Sequence, residues 1–228
     1  MLSPVLKWVG GAVVAVCMAL PASFWWNINS LERPPYKVSK TISVGGVKAE
    51  LREYEPYLIA ESEVTGDTMK AATSKGFRSV AGYIFGDNYG GRVSEDGTVE
   101  PQKVAMTAPV RTEQSQKVAM TSPVRTQLWG NDGSMKVSFV MPRKYTPETL
   151  PKPKSKGVKI RRVGAHRLVA ISFSGRSPDE DKIVRVSRDL FQALESEGLT
   201  PKGRLMVYQY HPPFMPGFLR RNEVAVQV

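Results

Sequence analysis

The sequence predicts an α+β domain in which a mainly antiparallel sheet is packed by two long helices. Two helical stripes of apolar residues, several short stretches of alternating apolar and polar residues, and their order along the chain predict it. Each helix follows a pair of predicted strands and precedes further strands. The sequence therefore predicts a duplicated unit, with two halves that could close into a barrel-like sheet.

The second helix has the clearer signals. Ser177 is predicted as its N-cap, Pro178 as its first helical residue, and Glu180 completes a capping box. Gly198 is predicted to lie just beyond its end. The apolar stripe comprises Ile183, Val186, Leu190 and Leu194.

The first helix shows the same periodicity, and Gly86 follows its predicted end. Residues in such a stripe usually pack into the core. The stripe comprises Met69, Ala72, Gly76, Phe77, Val80 and Ile84.

Strands are predicted on both sides of each helix. The triplet beginning at Gly46 opens the first half, and the similar triplet beginning at Gly157 opens the second. Val169, Ile171 and Phe173 fall on one face of a strand with a period of two. Further strands are predicted around Val137, Phe139 and Met141, and around Leu205, Val207 and Gln209.

A second repeat is nearly perfect, because residues 102–112 recur as residues 116–126 with one difference, Ala108 against Ser122. Apolar residues alternate with polar ones in each copy, so each is predicted as a strand. Pro109 cannot donate a ladder hydrogen bond and is expected at an edge, a bulge or a strand end. The repeat is interpreted as a hairpin or a tandem duplication. The alternative is that Met106 and Met120 line a pocket.

The amino-terminal region predicts a membrane anchor. Residues 8–26 contain no charge, and these nineteen residues are long enough to cross a bilayer as a helix. Residues 1–27 are therefore predicted as an anchor, with a cleaved signal segment as the alternative. Residues 28–44 are predicted as a linker and residues 45–228 as the folded domain. The side of the membrane stays open, since the positive-inside rule favours the cytoplasm and a signal-anchor history favours the exterior.

The net charge is +11, and residues 136–167 contain ten basic residues against one acid, Glu148. Such a basic stretch suits a solvated face, an anionic membrane surface, ligand carboxylates or nucleic acid. No nucleic acid partner is expected, because no groove-reading motif accompanies the charge.

Enzymatic activity is not predicted. With two histidines a histidine-rich metal site is excluded, and Cys17 is the only cysteine, so no internal disulfide or thiolate cluster can form. The sequence contains no zinc-protease, phosphate-loop or serine-hydrolase motif. A binding function is therefore preferred.

Five segments carry a family resemblance: residues 82–88, 103–110, 140–151, 210–214 and 218–224. They resemble the SOUL/heme-binding protein family, occur in family order and span essentially all of residues 45–228. The resemblance implies a distorted β-barrel flanked by two long helices. It also implies non-catalytic binding of heme or a related porphyrin in an open apolar cleft beside the first helix.

The same resemblance places Phe77, Val80 and the loop from His211 onward near that cleft. Arg78 is added as a candidate because it lies close to the positions where heme-binding members carry basic residues, here Ser74 and Gly82.

Two residues of the loop after residue 210 are candidates for heme contact. Met215 stands where well-studied family members carry a lysine. His211 is a candidate axial ligand, because neutral imidazole and methionine thioether both bind heme iron. The alternative is a His211 ring whose polar atoms are satisfied by the backbone. His166, in the basic region, is expected to be exposed to solvent.

Two functional hypotheses follow. The first is a membrane-tethered module that binds a tetrapyrrole. The second is an interaction protein that uses the basic residues of 136–167 to hold an acidic lipid or protein.

Overall fold

The computed structural model describes residues 31–66, 68–90, 101–114, 134–211 and 215–228. Within these ranges the chain forms a nine-stranded antiparallel sheet, a two-stranded sheet and two helices, which confirms the α+β prediction. The helices are α1 (Met69–Phe85) and α2 (Glu180–Ser196). The strands are β1 (Tyr36–Val44), β2 (Val47–Tyr54), β3 (Tyr57–Thr65), β4 (Asn88–Tyr89), β5 (Val110–Gln114), β6 (Ser134–Val140), β7 (Lys152–Pro153), β8 (Val158–Val163), β9 (His166–Ser174), β10 (Lys202–Gln209) and β11 (Arg221–Gln227).

The predicted anchor, residues 1–27, and the second repeat copy, residues 116–126, lie outside the described residues. Among the residues that are described, no helix is both long enough and apolar enough to cross a membrane.

The strands of the large sheet follow the order β1-β2-β9-β11-β10-β5-β6-β3-β8. Strands from the two halves of the chain are neighbours at three places, since β2 pairs with β9, β10 pairs with β5 and β3 pairs with β8. The order of the strands other than β1 is symmetric. When β2 is exchanged with β8, β3 with β9, β5 with β10 and β6 with β11, the same strands remain paired. Across the described strands, the sheet ends at β1 and β8 and does not close into the expected barrel.

Both helices pack on the same face of the sheet. α1 contacts β3, β6 and β8, whereas α2 contacts β1, β2, β9 and β11. One continuous core contains buried residues of both helices and of the strands beneath them, including Ile84, Val137, Leu190 and Val224. Gly76 lets α1 approach β6 closely, because a Cβ atom there would lie 2.5 Å from Cγ2 of Val137.

The ends of the helices have identifiable causes. Thr68 caps α1 by accepting a hydrogen bond from the backbone N–H of Ala71 at 3.2 Å. Gly86, with a φ of +129°, ends it as predicted.

The predicted N-cap of α2 at Ser177 is wrong. Asp179 is the cap, and its side chain accepts from the backbone N–H of Lys182 at 2.8 Å. Aspartate caps as well as serine does, and the acids Glu180 and Asp181 in the first turn suit the positive end of the helix dipole.

The predicted linker over residues 28–44 is also wrong, because β1 occupies Tyr36–Val44 and pairs with β2. β1 is an edge strand with five consecutive exposed residues, so its sequence resembles a solvated linker. Ile42 nevertheless lies in the core. Glu32–Val228 forms one compact unit, so the domain starts before residue 45.

Residues 102–109 of the first repeat copy form no strand, contrary to prediction, whereas its last three residues, 110–112, belong to β5. The backbone of this segment forms hydrogen bonds outside the sheet. The N–H of Val104 donates to the carbonyl of Ile84 at 2.9 Å, and the N–H of Ala108 donates to the carbonyl of Glu32 at 3.0 Å. β5 begins directly after Pro109, which therefore lies at a strand end as expected.

Candidate functional site

The outer face of α1 exposes large apolar side chains. Phe77 is 37% exposed and Phe85 is 59% exposed. Ala81 lies between them, so the three residues follow one side of the helix at four-residue spacing. The Phe77 ring also contacts the buried ring of Phe139 on β6, with centroids 5.2 Å apart. We call Phe77, Ala81 and Phe85 the outer row.

α2 provides a comparison within the same molecule. It has the same length as α1 and lies on the same face of the sheet. Its exposed side is polar and charged, as expected of a helix facing water. The exposed residues there include Arg185, Arg188, Gln192 and Glu195. An exposed aromatic row is therefore particular to α1.

The charge on α1 is entirely positive. The helix contains Lys70, Lys75 and Arg78 and no acidic residue. Arg78 is exposed and follows Phe77 directly, and its Nε–H donates to the carbonyl of Ser74 at 3.4 Å. α1 thus presents an apolar strip bordered by cations, which suits a flat apolar ligand that carries carboxylates.

Val80 has a different place from the other two α1 candidates. Its side chain is fully buried in the core beneath the helix. Val80 supports the outer row from below, whereas Phe77 and Arg78 reach the surface.

Asn88 fixes the chain at the carboxyl end of α1, and sequence reasoning did not single it out. Its side-chain amide donates to the carbonyls of Tyr83 at 2.8 Å and Gln102 at 2.7 Å, and its Oδ1 accepts from the N–H of Gln102 at 3.0 Å. These bonds hold the segment from residue 101 onward beside the end of the helix. Met106 in this segment is 40% exposed, so its thioether lies at the surface. An asparagine two residues after a helix-ending glycine was the available signal.

His211 lies two residues after the end of β10, and its ring is hydrogen-bonded to the backbone. Nδ1 accepts from the N–H of Arg221 at 3.0 Å. Partial burial lowers the pKa of His211, and the positive charges of Arg33, Arg221 and Arg220 act in the same direction. The ring is therefore neutral with its proton on Nε2, because Nδ1 is the acceptor. Neither nitrogen offers a free lone pair to iron in this arrangement.

Met215, a candidate for heme contact, is buried, and its carbonyl accepts from Nε of Arg220. His211 lies two residues beyond β10, while Phe77 lies over β6, and β5 runs between these two strands. At the usual strand spacing β10 and β6 are about 10 Å apart. Among the described contacts, none joins His211 or Met215 to the outer row, so the predicted heme contacts fall at two separate places.

The face of the sheet opposite the helices buries an ion cluster centred on Glu223. This carboxylate accepts two bonds from Arg52, both at 2.8 Å, and bonds from Tyr210 and Ser172, both at 2.7 Å. Arg221 donates to it as well, at 2.6 and 3.0 Å. Burial would raise the pKa of Glu223, but the bonds and charge of Arg52, with Tyr210 and Arg221, lower it to about 2. Sequence reasoning missed this cluster, whose members come from four strands or strand ends.

His166, expected in solvent, is half-buried on that opposite face. Its ring stacks on Tyr54, with centroids 5.2 Å apart, and Tyr36 packs on the other side of Tyr54 at 5.0 Å. Burial lowers the pKa of His166, so its ring is neutral. These rings line a shallow depression of about 650 Å³. Within the described ranges, no three His, Cys, Asp or Glu side chains are grouped to hold a metal ion.

The sequence model of the SOUL heme-binding protein family matches residues 31–227, which is most of the chain. The chain belongs to this family. The match includes β1, in agreement with the earlier start of the domain. A comparison with curated proteins gave no match.

Solved structures with the same fold have little sequence in common with this SOUL-family chain. The C-terminal domain of EcmrR is 11% identical with a TM-score of 0.54, covering 79% of this chain and 96% of that domain. An uncharacterized conserved protein from Listeria innocua is 15% identical with a TM-score of 0.53, covering 78% of this chain and 90% of that protein. At such identities the likeness concerns the fold alone.

Proposed function

We propose that this protein binds heme or a related tetrapyrrole on the outer row of α1 without acting on it chemically. The observation that carries the proposal is the exposed aromatic row on a helix with three basic and no acidic residues. Membership of a heme-binding family supports the same class of ligand.

The size and character of the outer row suit a planar macrocycle. Phe77 and Phe85 are eight residues apart, which is about 12 Å along the helix. A flat ligand laid across both rings would remove their exposed apolar surface from water. Each square ångström so buried stabilises the complex by about 25 cal/mol.

The cations of α1 supply the polar half of the recognition. Arg78 lies next to the outer row, three residues before Ala81, and can pair with ligand carboxylates at the rim of the macrocycle. Its long side chain reaches outward while its aliphatic part covers the helix surface.

In this proposal the ring and its carboxylates are recognised, not the iron. The hydrogen bond from Arg221 to Nδ1 of His211 occupies the lone pair that iron would need. Met215 is buried in its loop and does not present its sulfur at the surface. The proposal therefore uses neither residue as an axial ligand.

We infer further that the domain is a duplicated unit in which α1 and α2 are equivalent helices. The symmetric exchange of strand pairs supports this inference. In that case α2 is the equivalent helix without a ligand-binding surface, because its outer face is charged where that of α1 is aromatic. We also propose that residues 1–27 hold this module at a membrane, which the uncharged run over residues 8–26 supports.

The test is a titration of residues 32–228 with hemin and with metal-free protoporphyrin, followed by the Soret band and by porphyrin fluorescence. We expect saturable one-to-one binding of both ligands with similar affinity. A Phe77→Ala/Phe85→Ala double variant should bind about tenfold or more weakly, because it loses the apolar contact area. Arg78→Glu should weaken binding through repulsion of the carboxylates.

Two variants serve as controls. Val38→Ala removes an exposed apolar side chain from β1, far from α1 in the sheet order, and should leave affinity unchanged. His211→Ala should leave the heme spectrum unchanged. Absence of saturable binding, or equal binding by the double variant, would contradict the proposal.

A further inference from the structure

β8 (Val158–Val163) is a regular strand at one edge of the large sheet. Within the described residues its only neighbour in this sheet is β3, and the six paired residues run from Tyr57↔Val163 to Ser62↔Val158 without a register shift. The opposite edge differs: β1 has an irregularity between Val38 and Lys40, and Lys40 forms an ion pair with Glu197 of α2. An edge strand presents alternate backbone N–H and C=O groups outward, and a regular edge presents them in a straight row.

The two sides of β8 have different chemistry. Val158 is buried and Ile160 is partly buried against the core, on the face that carries α1. Lys159 and Arg161 project from the other face, where both side chains are exposed. A strand added at this edge would continue both faces if its side chains alternated between apolar and acidic.

The charge near β8 is strongly positive. Lys159, Arg161 and Arg162 are exposed on the strand. Exposed Lys152, Lys154 and Lys156 lie in the segment that leads into it. Three acids lie close by: Glu61 bonds Arg161 at 3.1 and 3.2 Å, the charge of Arg162 acts on exposed Glu148, and exposed Glu63 on β3 follows Ser62, the partner of Val158. The edge therefore keeps a large excess of positive charge.

We propose that β8 accepts an extended segment of a partner protein, alternating apolar and acidic residues, as a further strand of the sheet. Backbone hydrogen bonds would supply the pairing, while Lys159 and Arg161 would select acidic side chains. A second copy of β8 is a poor occupant, because pairing two copies would bring like charges together.

The experiment uses the full chain in a neutral detergent and a fluorescein-labelled peptide of alternating valine and glutamate, eight residues long. Binding is followed by fluorescence anisotropy and by amide hydrogen exchange. We expect saturable binding that weakens with salt, together with slower exchange at the amides of β8. Lys159→Glu/Arg161→Glu should weaken binding by about tenfold or more. Arg185→Glu/Arg188→Glu on exposed α2 makes the same charge change away from the edge and should have little effect.

Two further probes separate strand addition from charge alone. A peptide of the same sequence, N-methylated at every second residue on its pairing edge, keeps its charge but loses its donors and should not bind. A single-stranded oligonucleotide of equal charge should bind much more weakly than the peptide. Equal binding by either probe, or peptide binding without protection of β8, would overturn the proposal. Hemin affinity is measured alongside and should not change.

Discussion

Glu223 illustrates how one residue depends on partners distant in sequence. Its carboxylate is fully buried, which is costly for a charge unless it is paired and hydrogen-bonded. Arg52, Arg221, Tyr210 and Ser172 together satisfy it. Arg52 is 171 residues away along the chain. The cluster therefore forms only when β2, β9 and β11 have assembled.

The lowered pKa of Glu223 makes stability depend on pH. Its pKa falls from an ordinary 4.5 to about 2 in the folded protein. The resulting stabilisation, about 3 kcal/mol, is complete above the ordinary pKa and is lost as the pH falls towards 2. In Glu223→Gln we expect a free energy of unfolding about 3 kcal/mol lower at pH 7 and a flatter dependence on acid. Urea unfolding at several pH values checks this.

Glu53 lies at an exposed position of β2. Glu53→Gln is therefore the matched control and should keep the acid dependence of the parent protein. If Glu223→Gln kept the same dependence as the parent, the assignment of the acid-sensitive component to Glu223 would be wrong.

Among the elements, α1 owes its position to Gly76. A Cβ atom there would meet Cγ2 of Val137 at 2.5 Å and its Cβ at 2.7 Å. The helix would have to shift away from β6. Alanine favours helix over glycine by about 1 kcal/mol, but overpacking a core costs about 1–3 kcal/mol.

We therefore expect Gly76→Ala to lower the free energy of unfolding by about 1–2 kcal/mol. Gly82→Ala, in the same helix, should be neutral or slightly stabilising. A Cβ atom at Gly82 meets only the end of the Asp87 side chain, at 3.1 Å, and that side chain can rotate away. Urea unfolding of both variants decides, and greater stability of Gly76→Ala than of the parent protein would refute the close contact.

The elements also show what local sequence can predict. Both helices were predicted because their apolar stripes and the glycine after α1 are local signals. The N-cap of α2 was placed two residues too early, because Ser177 and Asp179 are both residue types that commonly cap helices. β1 was missed because an edge strand needs few buried residues: Ile42 is the only one of its nine that is fully buried.

Site residues divide in the same way. Phe77 and Arg78 were predicted at a binding surface and reach the surface, whereas the exposure of Phe85 went unnoticed. Phe85 lies outside the predicted apolar stripe, which identifies the buried side of the helix and not the exposed apolar residues. The orientation of His211 depends on the backbone of Arg221, and Met215 is buried, with its carbonyl accepting from Nε of Arg220. Neither contact has a local pattern in the sequence.

For the whole molecule, the earlier start of the domain gives a direct prediction. A chain that begins at residue 32 should unfold cooperatively. One that begins at residue 45 lacks β1, loses the core contact of Ile42 and the stacking of Tyr36 on Arg52, and uncovers the edge of β2. We expect it to be less stable by about 3 kcal/mol or more and to self-associate through that edge. Urea unfolding and sedimentation measure both effects. Equal stability of the two chains would mean that β1 is dispensable.

The position of β11 affects how the protein can be made. This strand is the last of the domain to leave the ribosome, yet it lies between β9 and β10 in the interior of the sheet. β2, β3 and β5 of the first half also pair with β9, β8 and β10, so these pairings form only once those strands of the second half have been synthesised. Non-local pairing of this kind also folds slowly. The complete sheet therefore cannot form until β11 has been synthesised.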